Sequence, residues 1–384
     1  MRRWTGLALF MFLAAPTLAK LDGTVYLSQG LTYNDGGHLF AQPGDMSFRF
    51  HEASINANWR VSSQWRLAGQ MLYRQAGNIA DSNTDIDYLF AEYRFPVWSG
   101  NVAAAAGRNK MDMGFYNASR DSLFSRPSIL LPQSIYQEFG RDAALRNDGL
   151  KFSGAHFIGE QSLSWNATYG LMALNDSFAD IFLGFHQGVE FDDTESLLLT
   201  LGWEYRTWLQ LKASYIDTGF SVDDPRPMRD ATYDIERWIV GLRGEYQRWQ
   251  WSAEYGEMQV DGELTEVGFP FENTSQGGYV QTRYYLLDQL SVLARYDLYW
   301  GNKDDKGGDR FEPRGEPNWQ AWSRASSLGL SWQFFDDWQL SAEWHRMDGT
   351  AVYPGSMANL SGQERISNLY MLQLAYRWNW ALFH

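Results

Sequence analysis

Residues that could carry out covalent chemistry are few and scattered along this 384-residue chain. The six histidines stand far apart, at positions 38, 51, 156, 186, 345 and 384, and the chain has no cysteine. It contains no Gly-x-Ser-x-Gly nucleophile turn, no His-Glu-x-x-His zinc motif and no glycine-rich phosphate loop. Only His345 stands where it could pair with a serine. The sequence therefore predicts no catalytic residue, no metal site and no cofactor, and the chain is not expected to be an enzyme.

Charged residues form a more informative pattern. The segment 113–147 alternates arginines with acids and also contains an apolar run, Ile129 to Leu131, which would be an unexplained patch if it faced water. Its candidate functional residues are Arg120, Asp121, Arg126, Glu138, Arg141 and Asp142. Opposed charges across a narrow space would set a transverse field that selects solutes by charge and dipole. The alternative is a surface loop with a solvated charge run.

A second charged set occupies the polar positions of alternating segments. These candidate lining residues are Arg66, Arg74, Glu92, Arg94, Arg243, Glu245, Arg283, Arg295 and Asp297. Counted with similar inward positions they lean basic, although the formal net charge of the chain is −14. We therefore expect a basic interior and acidic external loops. Many of these charges should pair across adjacent strands and stiffen the wall.

The elements that must position these charges are β-strands, because apolar residues recur with a period of two. At the C-terminus, Tyr370, Leu372, Leu374 and Tyr376 alternate with polar residues such as Gln373 and Arg377. About sixteen such segments are predicted. They begin near Gly23, Met46, Gln64, Asp85, Gly100, Asp148, Glu160, Glu195, Thr207, Thr232, Gln250, Gln276, Asp288, Ala321, Asp336 and Ser367.

The connections between these segments alternate between short and long, and tryptophans flank the short ones, as at Trp59, Trp65 and Trp98. This is typical of a transmembrane barrel with short periplasmic turns, long extracellular loops and an aromatic girdle. Lipid offers no hydrogen bonds, so the sheet has to close. The hydrophobic fraction of 45% and aromatic fraction of 16% exclude a disordered chain. The predicted fold is all-β, an antiparallel transmembrane β-barrel of about 16 strands.

The first nineteen residues are predicted to be a signal peptide, with cleavage after Ala19. Arg2 and Arg3 precede an apolar run of about ten residues, which is too short for a membrane anchor, the alternative interpretation. Cleavage removes both arginines and changes the formal net charge from −14 to −16. An acidic mature chain argues against nucleic-acid binding. Residues 20–384 are predicted to form the barrel.

On these features the chain resembles a Gram-negative outer-membrane porin. A shorter segment resembles proteins that are loosely grouped with the phosphate-selective porin O and P superfamily. The likeness covers Gly107–Lys110, Gly114–Asn117, Arg120–Asp121 and Ser125–Tyr136. The lysine clusters associated with phosphate are missing, so phosphate specificity is not expected. The resemblance implies a multi-pass protein of the bacterial outer membrane, with the third external loop, 113–147, folded into the lumen.

The resemblance further implies passive diffusion of small hydrophilic solutes. From the basic interior and the acidic external loops we expect the pore to be weakly anion-preferring or unselective. Expected partners are outer-membrane lipid, lipopolysaccharide, the barrel-assembly machinery during biogenesis, and a second and third copy of the chain in a homotrimer. Two alternatives stay open. One is a barrel without significant conductance that acts as an adhesin, receptor or scaffold, and the other is a secreted soluble β-protein.

Overall fold

The computed structural model describes residues 20–97, 100–141, 146–172, 174, 176–192, 194–206, 208–353 and 362–382. The predicted signal peptide with its cleavage after Ala19, Trp98 and the candidate residue Asp142 lie outside the described residues.

Within these ranges the chain is built from seventeen antiparallel strands. They are β1 (Lys20–Asp35), β2 (Met46–Arg60), β3 (Trp65–Ala76), β4 (Ala80–Phe95), β5 (Asn101–Lys110), β6 (Arg146–Ile158), β7 (Gln161–Met172), β8 (Glu190–Asp192), β9 (Glu195–Tyr205), β10 (Leu209–Asp223), β11 (Ala231–Tyr246), β12 (Trp249–Leu264), β13 (Phe269–Leu287), β14 (Leu290–Trp300), β15 (Trp322–Phe335), β16 (Trp338–Asp348) and β17 (Ile366–Leu382).

The strands close into one barrel. Apart from the short strand β8, each strand pairs with the strands before and after it in the chain, with β7 paired to β9. The last strand, β17, pairs with β1, from Leu21 opposite Leu382 to Asp35 opposite Asn368. The short strand β8 and strand β9 both pair with β10, one above the other, and together form a single wall position. The prediction of a closed antiparallel barrel with sixteen wall positions is confirmed. Closure leaves no sheet edge open to form hydrogen bonds with another chain.

Most predicted strand starts agree with the structure to within a few residues, and β13 is the clearest exception. It begins at Phe269 and not near Gln276. Its first residues continue the hairpin with β12, where Leu264 pairs with Phe269. Polar residues interrupt the alternation in this part of the strand, so the sequence pattern predicts a start that is too late in the chain.

The side chains alternate between two surroundings, as the period of two requires. On β17, Leu369, Met371 and Gln373 are buried inside the barrel, whereas Tyr370 and Leu372 are exposed on its outer face. Exposed tryptophans cluster on the outer face beside the short turns. They are Trp59, Trp65, Trp208, Trp249, Trp332 and Trp338.

In the part of the chain that the structure describes, helical structure lies in the connections between strands. The helix α1 (Asp176–Leu183) packs Phe178 against Phe191 and Phe220 at the long-loop end of the barrel. Short 3-10 turns span Asn117–Ser119, Leu123–Ser125, Glu312–Arg314 and Asn318–Ala321. Of the helices in the described part of the chain, none has the length and apolar character needed to cross a bilayer.

Candidate functional site

The described part of the connection between β5 and β6, residues 111–141, lies inside the barrel, and we call it the inner loop. It reaches three separate parts of the wall. Arg126 donates to Glu52 on β2 over 2.8 Å, Tyr136 to Glu254 on β12 over 2.5 Å, and Ser134 to Asp297 on β14 over 2.9 Å. Because these strands lie at different points around the barrel, the inner loop crosses the lumen.

Apolar contacts explain why this segment turns inward. Ile129 and Leu130 are buried in a cluster with Phe50, Leu369 and Met371 of the wall. Leu131 and Ile135 are buried in a second cluster, with Leu198, Ile216 and Ile239 of the wall. Both patches of wall face the barrel interior. Packing the loop against them removes apolar side chains of loop and wall from water, and this burial stabilises the inward position of the loop.

A network of buried ion pairs fixes the inner loop to β2 and β3. The Glu138 carboxylate accepts hydrogen bonds from Arg120, over 2.7 Å, and from Arg74 of the wall. Arg74 also donates to Glu52 over 3.1 Å, and Glu52 accepts from Arg126 as well. Burial by itself would raise the pKa of Glu138, but Arg74 and Arg120 hold that pKa below its usual value. The carboxyl group is therefore ionised and paired at neutral pH.

The same network continues towards β4 and β5. Arg141 pairs with Asp121, and Asp121 also accepts a hydrogen bond from Lys110 over 2.8 Å. Lys110 in turn contacts Asp87 of β4 at 2.7 Å. The five described candidate charges of the inner loop, Arg120, Asp121, Arg126, Glu138 and Arg141, are each less than a tenth exposed. In this arrangement they anchor the loop and present little charge to water.

Opposite this network, Glu254 of β12 acts as a second anchor. It accepts hydrogen bonds from the hydroxyls of Tyr136 and Tyr279, over 2.5 and 2.7 Å, and from the Phe115 amide over 2.9 Å. Burial, together with the neighbouring Glu254, raises the pKa of Tyr136 well above its usual value. Tyr136 therefore keeps its proton and remains a hydrogen-bond donor throughout the physiological pH range.

A third anchor has the residue types of a hydrolytic triad. Glu343 accepts hydrogen bonds from the amides of Ile129 and Leu130 and lies 3.0 Å from Nε2 of His345, whose Nδ1 is 2.7 Å from Ser327 Oγ. The cavity beside Ser327 and His345 has a volume of about 10 Å³. That volume holds about one water molecule and no organic substrate. The arrangement is suited to clamping the loop.

The predicted wall residues divide into buried anchors and residues that face water. Arg295 and Asp297 pair at 2.7 Å under the loop, and Arg295 also donates to the Leu130 carbonyl over 3.0 Å. Arg283 donates to the Pro127 carbonyl. Together with Arg74, these residues hold the inner loop.

The remaining wall residues lie towards the short turns. Arg66 and Arg94 both pair with Glu92, at 2.8 and 2.9 Å. Arg243 donates to Gln210 over 2.6 Å, and Glu245 accepts a hydrogen bond from Gln250. These five wall charges border the open space on this side of the loop.

That space contains a cavity of about 790 Å³, which we call the vestibule. Its lining includes residues near three short turns, such as Asn58, Arg94 and Gln210. The charged lining residues are the cations Arg66, Arg94, Lys110, Lys151 and Lys212 and the acids Glu92 and Asp112. A second cavity, of about 380 Å³, shares Gln210 with it and is lined by Glu204, Arg243, Glu245 and Arg283. Among the described charges, cations outnumber acids around the vestibule.

Sequence reasoning missed Lys151. It lies on β6 opposite Ala105 of β5 and Thr168 of β7, at an inward position. The alternation of side chains along β6 places Lys151 at an inward position. The alternation of polar and apolar residues in this strand is weak, however, because glycines interrupt it. A single lysine among small residues did not stand out beside the arginine-rich strands.

No protein-family model matches the chain, and no curated protein matches it either. Solved structures do resemble it. The trimer form of OmpT, an outer membrane protein of Vibrio cholerae, has a TM-score of 0.56 at 14% identity, over 94% of this chain and 100% of that one.

Two further structures match to a similar extent. The outer membrane channel DcaP of Acinetobacter baumannii has a TM-score of 0.57 at 10% identity, over 95% of this chain and 99% of that one. An anion-selective porin from Comamonas acidovorans has a TM-score of 0.58 at 10% identity, over 94% and 100%. At these identities the likeness establishes that the chain shares the fold of outer-membrane porins.

Proposed function

We propose that this chain is a channel of the bacterial outer membrane through which small hydrophilic solutes diffuse passively. The observation that carries the proposal is the division of the lumen by an inner loop anchored on several sides, next to a polar vestibule of about 790 Å³. A barrel that only displayed surface loops would need no hydrated space of that kind. The outer face supports membrane insertion, because apolar side chains cover it and tryptophans flank the short turns.

The inner loop is proposed to be the constriction. It is held by Glu52, Glu254 and Glu343, three carboxylates on different strands, so it is positioned as a rigid crossing of the lumen. Because its own charges are paired, the wall cations of the vestibule are the source of selectivity in this proposal. Selectivity is then weakly anion-preferring, and a salt-gradient reversal potential that shows clear cation preference would contradict it.

An adhesin, receptor or scaffold without conductance is the second candidate function. The extensive burial of the inner loop favours it, since Arg120, Tyr136 and Ile135 are at most 1% exposed and the loop fills much of the lumen. Single-channel recording from purified protein in a planar bilayer separates the two functions. Discrete conductance steps support the channel, and their absence from correctly folded protein supports the scaffold.

Several finer assignments belong to the same proposal. The short turns face the periplasm and residues 1–19 are removed after export. Outer-membrane lipid, lipopolysaccharide and the barrel-assembly machinery are the expected partners. A homotrimer is proposed on the analogy of the trimeric OmpT structure, and cross-linking of the protein in native membranes tests it. Membership of the phosphate-selective porin O and P superfamily remains a hypothesis based on the segment Gly107–Tyr136.

A further inference from the structure

Among the described cations that line the vestibule, Lys151 forms no ion pair. Lys151 is half-buried, and no carboxylate of the described residues lies within 4 Å of its ammonium group. Asp112 and Glu92 attract it only from a longer distance. The other lining lysines differ. Lys212 contacts Asp112 at 2.6 Å, and Lys110 contacts Asp87 at 2.7 Å.

The register of the sheet explains why Lys151 is unpaired. Its direct neighbours across the ladders are Ala105 and Thr168, and neither carries a charge. Arg66, by contrast, stands directly opposite Glu92. The two acids that line the vestibule are already bound, Asp112 by Lys212 and Glu92 by Arg66 and Arg94. Lys151 therefore projects positive charge into the cavity.

An apolar surface lies next to this ammonium group. Inward positions of the adjoining strands carry Ala103 and Ala105 on β5, Ala68 on β3 and Phe90 on β4, and all four line the vestibule. Register places Ala105 beside Lys151 and Ala68 beside Phe90. The cavity thus offers an unpaired cation at one side and a small apolar wall at the other. Its volume is within the range of sites for small organic ligands.

We propose that the vestibule is a binding site for small organic carboxylates with an apolar body, with Lys151 holding the carboxylate. This inference rests on the proposed channel function and specifies the solute class. Lys212 and Arg66 add to the positive potential of the same cavity. Alanine and phenylalanine side chains contact the apolar body, which inorganic anions lack. A carboxylate bound here neutralises Lys151 with a charge-assisted hydrogen bond.

The test uses the purified, folded barrel in detergent, with benzoate as the probe and calorimetric titration as the readout. Wild type and Lys151→Arg are expected to bind benzoate, and Lys151→Gln to bind it at least about tenfold more weakly. Lys303→Gln, the same charge change at the long-loop end, is the matched control and should bind as wild type does. Unheated gel mobility verifies that each variant is folded.

Two comparison ligands separate charge from body. Inorganic phosphate carries charge without an apolar body, and benzyl alcohol carries the ring without charge, so both should bind more weakly than benzoate. Equal binding of benzoate by wild type and Lys151→Gln would overturn the site, and equal binding of phosphate and benzoate would overturn the solute class. Calorimetry measures binding without any current. The absence of conductance steps would therefore refute the channel function without changing the outcome of the binding test.

Discussion

The individual charges of the inner loop form ion pairs that anchor the loop. Glu138 is the centre of this network, because it binds Arg120 of the loop and Arg74 of the wall. Buried ion pairs of this kind contribute little net stability, but removing one partner leaves an unpaired buried charge. Their value is in fixing one position of the loop.

Replacing Glu138 by Gln should therefore loosen the inner loop while the barrel persists. The side chain keeps its shape, but Arg120 and Arg74 lose their shared counter-charge, a local cost of about 3–5 kcal/mol for a buried pair. We expect larger current fluctuations in single-channel records. Glu364→Gln, an exposed carboxylate near the long-loop end, is the control. Equal noise in the two variants would contradict the anchoring role.

The pH dependence follows from the same group. The folded-state pKa of Glu138 lies below its usual value of 4.5, because two guanidinium groups outweigh its burial. The stabilisation is thus complete above the usual pKa and is lost as pH falls through the lower folded-state pKa. If the proposed channel function holds, single-channel records of the wild-type protein should be quiet at pH 5 and become noisy only well below pH 4.5. Glu138→Gln should show no such transition, and an onset of wild-type noise above pH 5 would contradict the assignment.

At the element scale, the sequence specified the wall better than its contents. The alternation with a period of two located the strands, because an outward-facing apolar residue is followed by an inward-facing polar residue. Leu372 and Gln373 are an example. The apolar run Ile129 to Leu131 was the sequence signal for burial of the segment after β5, and these three residues are buried in the structure. The pairing of this segment was not predictable, because Glu138 meets Arg74 only through tertiary structure, across 64 positions of sequence.

Shortening the inner loop tests its role as an element. Joining Asn117 to Gln137 by a Gly-Ser pair would remove the apolar run and the contacts to Glu343 and Asp297. The lumen would then be less obstructed, and we expect single-channel conductance to rise several-fold. Shortening the connection at 303–316, which lies at the long-loop end, is the control and should leave conductance nearly unchanged. Similar conductance in the two deletions would place the narrowest point elsewhere.

At the scale of the whole molecule, closure depends on the β1–β17 ladder. Leu374 lies in its middle, opposite Gln29 on one side and Leu340 on the other. Proline at this position would remove a hydrogen bond from the ladder that closes the barrel. Leu374→Pro should prevent folding, whereas Leu374→Ala should retain the barrel. Unheated gel mobility and far-ultraviolet circular dichroism measure the difference, and a folded proline variant would contradict the paired register.

The seam between the first and last strands also bears on the order of folding. Leu21 and Leu382 are joined in register although 361 positions separate them, so this ladder is the most non-local contact in the sheet. Bringing the two strands together costs the full loop-closure entropy before the ladder forms any hydrogen bond. Any partly assembled set of strands has two unsatisfied edges, and only the complete set has none. Folding is therefore expected to be cooperative. The wall and the inner loop should become ordered in a single late step, when β1 pairs with β17.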